Sequence, residues 1–531
     1  MQTRDDFVTV IGHGRTLHSP NVQSIGLCRT SSRRLGTVAL LLAGACASSR
    51  SAATEGSSGS NATSAGSSSG ASTASGAVSG FAPSGTGASS GQPSVSGATS
   101  ISGATSVSGA TSASGATAGG ESDSSIASEL DAAPSAFADV AASGAPFEAS
   151  TPDAGPSSDL VGKVTVGYQG WFAAVGDGSP VNLWWHYDNN TQNAPSPADE
   201  LLKGWPYMAD FTTAFQTGFA NLGNGKPATL FSSYTYQTVD AHFSSMQAVG
   251  IDTAALQRFN DETPTRNAVA LNVMKAAEAH SVKFYVMYDI SGWTTFQTDL
   301  KSDWTDVIAG TLKLTSSSAY AHQDGKPVVC IWGMGFSDRP GDPTSSMDVI
   351  DFFKSQGLYV IGGVPVDWRT QGGGSKAGYG PVYDDFDMIS PWMVGVIGDI
   401  AGSDSIRQSN NVPDEAYCQT HGIDYQPCVL PGDLSLHQRG HGDFMWHQLA
   451  NMIQIGAQGL YVSMFDEFGE GNQIAKTAEN ASEQPTNGNF VPLDEDGTAC
   501  SADYYLRLTG DGDKMLKGQI PFTFTRPTPP M

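Results

Sequence analysis

The sequence predicts an α/β fold, a (β/α)8 barrel, and three observations carry that prediction. From Val161 onward, short runs that are apolar almost throughout recur at 164–172, 229–234, 253–259, 282–290, 327–332, 358–364, 388–393, 426–430 and 459–465. Amphipathic stretches of helical length lie between them, among them 239–249, 267–280, 347–356 and 444–455. Polar and aromatic residues then gather at the carboxyl end of one run after another. Strands apolar on both sides, alternating with helices, belong to a parallel sheet covered on both faces. Nine runs exceed the eight strands of a closed ring, and 229–234 is the one expected outside it. An open doubly wound sheet is the alternative, but no Gly-x-Gly-x-x-Gly turn follows any of the runs.

The barrel occupies only part of the 531 residues. Residues 47–157 are almost wholly Ser, Gly, Ala and Thr, a composition that buries too little apolar surface to offset the entropy of ordering. Within them, 95–100, 101–106, 107–112 and 113–118 repeat the pattern x-Ser-Gly-Ala-Thr-(Ser/Ala). Four short copies with one apolar residue each suit a tether better than a β-helix. As a coil, ~110 residues span on the order of 60 Å. The folded domain is therefore 158–531. Of the formal charge of −25, the first 157 residues contribute 6 basic and 10 acidic groups, leaving 21 against 42 beyond them. An acidic domain with no basic stripe argues against nucleic acid and against anionic lipid heads as partners.

Ahead of the tether, the apolar run 35–45 follows Arg33 and Arg34 and ends in Leu42-Ala43-Gly44-Ala45-Cys46. Eleven residues are too few to span a bilayer and suit the apolar core of a secretory signal. Small residues before a cysteine resemble a bacterial lipobox, with Cys46 as the lipidated residue, although the leucine sits one position further out than usual. An ordinary cleaved signal is the other reading. Both take the protein out of the cytoplasm, and a lipid on Cys46 is then its one expected link to a membrane.

Chemistry concentrates after the last run, in Leu460-Tyr-Val-Ser-Met-Phe-Asp-Glu467-Phe-Gly-Glu470-Gly-Asn-Gln-Ile474. Two carboxylates three residues apart, just past a strand, both reach a barrel mouth if the turn between them is tight. That permits the ~5 Å separation of a retaining carboxylate pair. A carboxyl against an apolar wall such as Phe468 keeps its proton, while its partner stays ionised. Glu-x-x-Glu is also common on solvated helix faces. Gly469 and Gly471, which allow unusual backbone angles, favour the turn.

This segment resembles Asn-Glu-Trp-His-Glu-Gly-Thr-Gln-Ile of glycoside hydrolase family 99, the endo-α-mannosidases. More widely, the chain is similar to bacterial proteins of the xylosidase/arabinosidase group, related to families 71 and 99. The similarity runs through 166–172, 231–234, 256–259, 288–292, 325–329, 331–333, 361–365, 422–425 and 464–467, so it covers Val161 to about Gly518. The resemblance implies a (β/α)8 glycosidase that acts with retention and without metal or cofactor. It implies that Glu467 acts as base on the sugar 2-hydroxyl, giving a 1,2-anhydro sugar, and that Glu470 protonates the leaving oxygen and then activates water. Asp466 stands where the family has Asn, Phe468 where it has Trp, and Gly469 where it has His, which leaves mannoside specificity open.

A poly- or oligosaccharide partner needs rings to stack on and polar groups to orient it. Trp171, Trp184, Trp185, Trp293, Trp332, Trp368 and Trp392 are the aromatic candidates. Tyr168, Gln257, Arg258, Tyr288 and Asp289 are the polar ones, with His186 and Asp466 beside them. His186, His437, His441 and His447 match no zinc spacing, and Asp494-Glu-Asp-Gly497 lacks the remaining ligands of a calcium loop. Cys418 and Cys428, ten apart, are a candidate disulfide in an oxidising compartment, and Cys330 reads as an inert core thiol. No Gly-x-Ser-x-Gly elbow supports a serine hydrolase. The domain is expected to be a monomeric retaining glycosidase. A non-catalytic carbohydrate-binding protein and an α-1,3-glucanase-like enzyme are the alternatives.

Overall fold

The computed structural model describes residues 158–531, Glu262 excepted. The signal segment, Cys46 and the 47–157 tether lie outside the described residues.

Seven parallel strands are β1 Val164–Tyr168, β2 Thr253–Arg258, β3 Lys283–Asp289, β4 Lys326–Trp332, β5 Tyr359–Val364, β6 Met388–Pro391 and β8 Leu460–Val462. They pair in chain order, and β1 also pairs with β8. The remaining strand, β7 (424–429), completes the ring in two pieces. Asp424–Tyr425 pairs with β6 and Cys428–Val429 pairs with β8, with Pro427 between them. A proline has no N–H to give a ladder, and here it falls where the strand changes partner. Thr229–Leu230 forms a small antiparallel pair with Phe215–Gln216 outside the ring, as expected of the surplus run.

Helices cover the outside. They are α1 Tyr236–Val249, α2 Thr263–His280, α3 Phe296–Ser302, α4 Pro343–Ser355, α5 Gly380–Tyr383, α6 Ile400–Ile406, α7 Val412–His421, α8 Asp443–Gln454 and α9 Tyr504–Leu516. Helix α3 runs on as a π-helix over Asp303–Thr311. The local chemistry of α4 is explicit: Asp342 caps its N-terminus by accepting from the Ser345 amide, and Pro343 opens it. Among the described residues, no helix is long and apolar enough to cross a membrane.

Inside the ring, small residues make room for large ones. A Cβ on Gly167 would lie 2.2 Å from the Tyr461 hydroxyl and 2.4 Å from the Met464 sulfur. A Cβ on Gly363 would lie 2.5 Å from the Trp332 ring. Glycine at these two points lets β1 and β5 close around a filled interior.

Two excursions build the rim above the β1–β8 seam: the long connection from β1 to α1, and the segment after β8. They join through isolated bridges at Pro206–Thr477 and Leu222–Pro485 and through the aromatic cluster Trp205, Phe219 and Phe490. Lys203 donates its amide to the Phe468 carbonyl at 2.8 Å. The candidate site therefore sits where the ring closes, braced from outside by both excursions.

Candidate active site

The turn after β8 is tight because its backbone bonds to itself. Phe465 continues the β1–β8 ladder by donating to the Gly167 carbonyl at 2.7 Å. Met464 and Asn472 then pair, Ala475 returns to Phe465, and Asn472 donates to the Glu467 carbonyl at 3.1 Å. Gly471 takes φ +72°, where a Cβ would meet Asp433 Oδ1 at 2.9 Å. Glu467 and Glu470 lie at the tip of this loop, at the carboxyl end of the barrel.

Glu467 is buried, and the Gln169 side-chain amide donates to its Oε2 at 2.8 Å. Asp466 is fully buried and accepts the Gln169 amide at 2.7 Å and the Gly170 amide at 2.9 Å. It clamps the end of β1 rather than facing a ligand, and so directs the Gln169 side chain toward Glu467. Burial pushes the Asp466 carboxyl up to about 7, against the pull of those two amides. Burial, the charge of Glu470 and the charge of Asp466 together hold Glu467 well above the usual carboxylate range. Glu470, half-buried at the surface, is pushed up to about 8 by burial and then by the charge of Asp433, while Asn472 works the other way. Both carboxyls are therefore harder to ionise than an ordinary glutamate, and the arrangement suits proton transfer.

The other polar candidates divide by strand alternation, and half of them face away from the mouth. Tyr168 is fully buried and bonds His242 Nδ1 of α1 at 3.0 Å, outside the ring. Arg258 turns outward to a close bidentate pair with Asp303 and a 3.0 Å bond to Asn267. The Tyr288 hydroxyl donates to the same Asp303 at 2.8 Å. Trp368 lies buried against Asp414 and Tyr383. Tyr168, Arg258 and Tyr288 thus anchor helices and are not positioned to touch substrate, because successive strand residues point to opposite faces, and Trp368, in the turn after β5, packs on α7 through Asp414.

Their neighbours point in. Gln257 meets Met464 within the barrel, its side-chain amide 3.6 Å from the sulfur. Asp289 is buried at the end of β3, with its Oδ1 accepting the Ser291 amide at 2.8 Å, and burial raises it to about 6. Trp392 sets its ring edge-on to Trp332 at 5.1 Å, and both line the mouth above Tyr461. Trp171 stacks on His186 at 3.8 Å and on Phe259 at 5.6 Å, while Arg266 sits between Trp185 and Phe259. Trp171, Trp185 and His186 therefore form one aromatic cluster, with Trp185 tilted by 45° against His186 at 4.8 Å. Several buried polar atoms have no protein partner, among them Gln169 Oε1, Asn472 Oδ1 and Trp332 Nε1.

Sequence reasoning singled out neither Gln169 nor Asp433 as a site residue. Gln169 lay open to it, since Gly167, two residues earlier, must also face inward. Asp433 carries no local signal. The disulfide expected between Cys418 and Cys428 is absent: both are buried free thiols, one on α7 and one on β7. Burial pushes Cys428 up to about 12 and Cys418 further, so neither is reactive at neutral pH. Among the described residues, no cluster of three metal-type ligands exists. His437 pairs with Glu495, and His441 with Asp496 at 2.6 Å, which occupies the acidic 494–497 run.

In architecture the chain is similar to a GH99 endo-alpha-mannosidase. The solved structure of that protein from Bacteroides thetaiotaomicron is 13% identical, with 68% of this chain covering 98% of it at a TM-score of 0.47. A β-mannanase from Thermomonospora fusca in complex with mannohexaose is 14% identical over 51% of this chain and 90% of its own, at a TM-score of 0.30. Two fungal β-1,4-galactanases are represented at 11% identity over 51% of this chain and 92% of that one, with a TM-score of 0.30. No family model matches the chain, and no curated protein matches it.

Proposed function

We propose that the domain is a retaining glycoside hydrolase that cleaves a poly- or oligosaccharide of α-mannan or xylan/arabinan type. The observation that carries this reading is the pairing of Glu467 and Glu470 on one tight turn at the barrel mouth, with Gln169 donating to Glu467. The unpartnered Gln169 Oε1, Asn472 Oδ1 and Trp332 Nε1 beside inward-facing Trp392 suit a ligand with hydroxyls and apolar ring faces.

In this reading the pair shares one proton. When Glu470 holds it, the charge of Glu470 no longer raises Glu467, and the Gln169 donor then favours a charge on Glu467. Glu467 takes the proton of the sugar 2-hydroxyl as that oxygen closes on C1. Glu470 delivers its proton to the departing glycosidic oxygen, whose bond to C1 breaks. Water then opens the 1,2-anhydro sugar at C1, losing a proton to Glu470, while Glu467 returns its proton to O2. Both side chains end as they began, and two inversions at C1 amount to retention.

The test is reducing-sugar release from mannans, α-glucans and arabinoxylans by the wild type and by Glu467→Gln and Glu470→Gln. Each variant should lose about 10²–10⁴-fold in turnover. Full activity in Glu470→Gln removes it as the acid. Glycan binding without turnover, unaffected by either change, identifies a carbohydrate-binding protein instead. Export and lipidation at Cys46 belong to the same proposal and rest on the 33–46 sequence. Palmitate incorporation that disappears in Cys46→Ala supports the anchor, and none in the wild type refutes it.

A further inference from the structure

The loop after β7 reaches the tip of the β8 turn and is stapled to it by one buried guanidinium. Arg439 is 2% exposed, with its face over the Tyr505 ring at 4.3 Å. Its Nη2 donates to the Gly471 carbonyl at 2.6 Å and to the Gln473 carbonyl at 2.8 Å, and its Nε donates to the Gly432 carbonyl at 2.9 Å. Leu434 adds an amide bond to the Gly471 carbonyl at 3.2 Å. These bonds bracket Asp433 on one loop and Glu470 on the other. Asp433 Oδ1 is itself fixed by the amide and hydroxyl of Ser435, each at 2.7 Å. It lies 2.9 Å from where a Gly471 Cβ would stand, so residue 471 has to be glycine for the two loops to close.

We propose that Asp433 is a positioning residue for Glu470: held against the 470–473 turn by Arg439, its carboxylate keeps the shared proton on Glu470 rather than on Glu467. The inference rests on reading Glu467 and Glu470 as the acid–base pair. A negative charge beside a carboxyl disfavours its ionisation, and the amide and hydroxyl of Ser435 hold Asp433 Oδ1 in place. Asp433 is also the charged neighbour that raises Glu470. The other groups facing the pair do not supply this bias. Glu467 and Asn472 share the turn itself, and Asp466 and Gln169 act on Glu467. Lys203 enters from the β1 excursion, with its Cβ 3.1 Å from the Gly471 Cβ position, and packs against the turn there. The His437–Glu495 pair lies further along the β7 loop.

Asp433→Asn keeps the acceptor for Ser435 and removes only the charge. Carboxyl ¹³C NMR titration of glutamate-labelled protein, with Glu470 assigned by its loss in Glu470→Gln, reads the proton directly and needs no substrate. The Glu470 midpoint should fall by about one pH unit, a tenfold change in its protonation constant. On whichever panel glycan is cleaved, the alkaline limb of kcat/KM should move down by the same amount with KM unchanged. A purely structural role would lower stability and move neither limb nor midpoint. A midpoint unmoved within about a third of a unit overturns the proposal. If Asp433→Asn does not fold, Asp433→Ser is titrated in its place against the same criterion. A shifted midpoint together with full activity in Glu470→Gln shows that the electrostatic link holds and the acid–base reading has failed.

Discussion

The side-chain amide of Gln169, one residue past β1, donates to Glu467 Oε2 at 2.8 Å and ties the first barrel loop to the last. That bond stabilises charge on Glu467 and fixes its rotamer. A hydrogen bond to a charged group contributes about 1.5–3 kcal/mol. Gln169→Ala should therefore lower kcat/KM by roughly 10–100-fold with little change in melting temperature. Steady-state kinetics beside a thermal melt checks this, and wild-type kinetics would show that Glu467 is held by something else.

Asp466 sets up that bond by taking two backbone amides at once. Asparagine offers one acceptor oxygen and turns an NH2 toward the second amide. Asp466→Asn should cost about 1–3 kcal/mol of stability and lower turnover as Gln169→Ala does. Denaturant unfolding and kinetics on the same preparation measure both, and a double variant no worse than either single one in turnover places the two residues on one path.

The raised carboxyls make stability depend on pH. For Glu470 the folded value, about 8, lies above the ordinary 4.5. The folded protein then binds more protons than the unfolded chain between those values, so this contribution is fully present below about pH 4.5 and is lost as pH rises toward 8. Glu470→Gln cannot ionise. It should match the wild type near pH 4.5 and melt on the order of 2–5 °C higher at pH 8. Differential scanning calorimetry across that range tests the sign, and a gap that narrows with rising pH contradicts it.

Cys330, Cys418, Cys428 and Cys500 are buried and free. Adding dithiothreitol should leave the melting temperature of the 158–531 domain unchanged. Thiol labelling should need denaturant to reach all four sites. A lower melting temperature on reduction would restore the disulfide that the spacing of Cys418 and Cys428 suggested.

Most of the architecture was legible in the residues. Runs apolar on both faces identified the strands, including the one at 229–234 that stays out of the ring. The four helical stretches named lie within four residues of α1, α2, α4 and α8. What sequence could not supply was the phase of each strand end. Of Tyr168 and Gln169, of Gln257 and Arg258, and of Tyr288 and Asp289, one member enters the barrel and the other reaches a helix. Nothing local shows that Arg258 will pair with Asp303, 45 positions away. The proposed Cys418–Cys428 link failed for a related reason: ten residues of spacing say nothing about whether a helix and a strand aim their sulfurs at each other.

By itself, then, the sequence determined the barrel, its rim of polar and aromatic residues, and the Glu467–Glu470 turn, since each follows from periodicity and from what lies next along the chain. Only the tertiary structure decided which rim residues face inward, that Asp466 clamps β1 instead of facing the mouth, and that Asp433 stands beside Glu470. Those relations join loops 37 to 298 residues apart, and ring closure and burial alone bring them together.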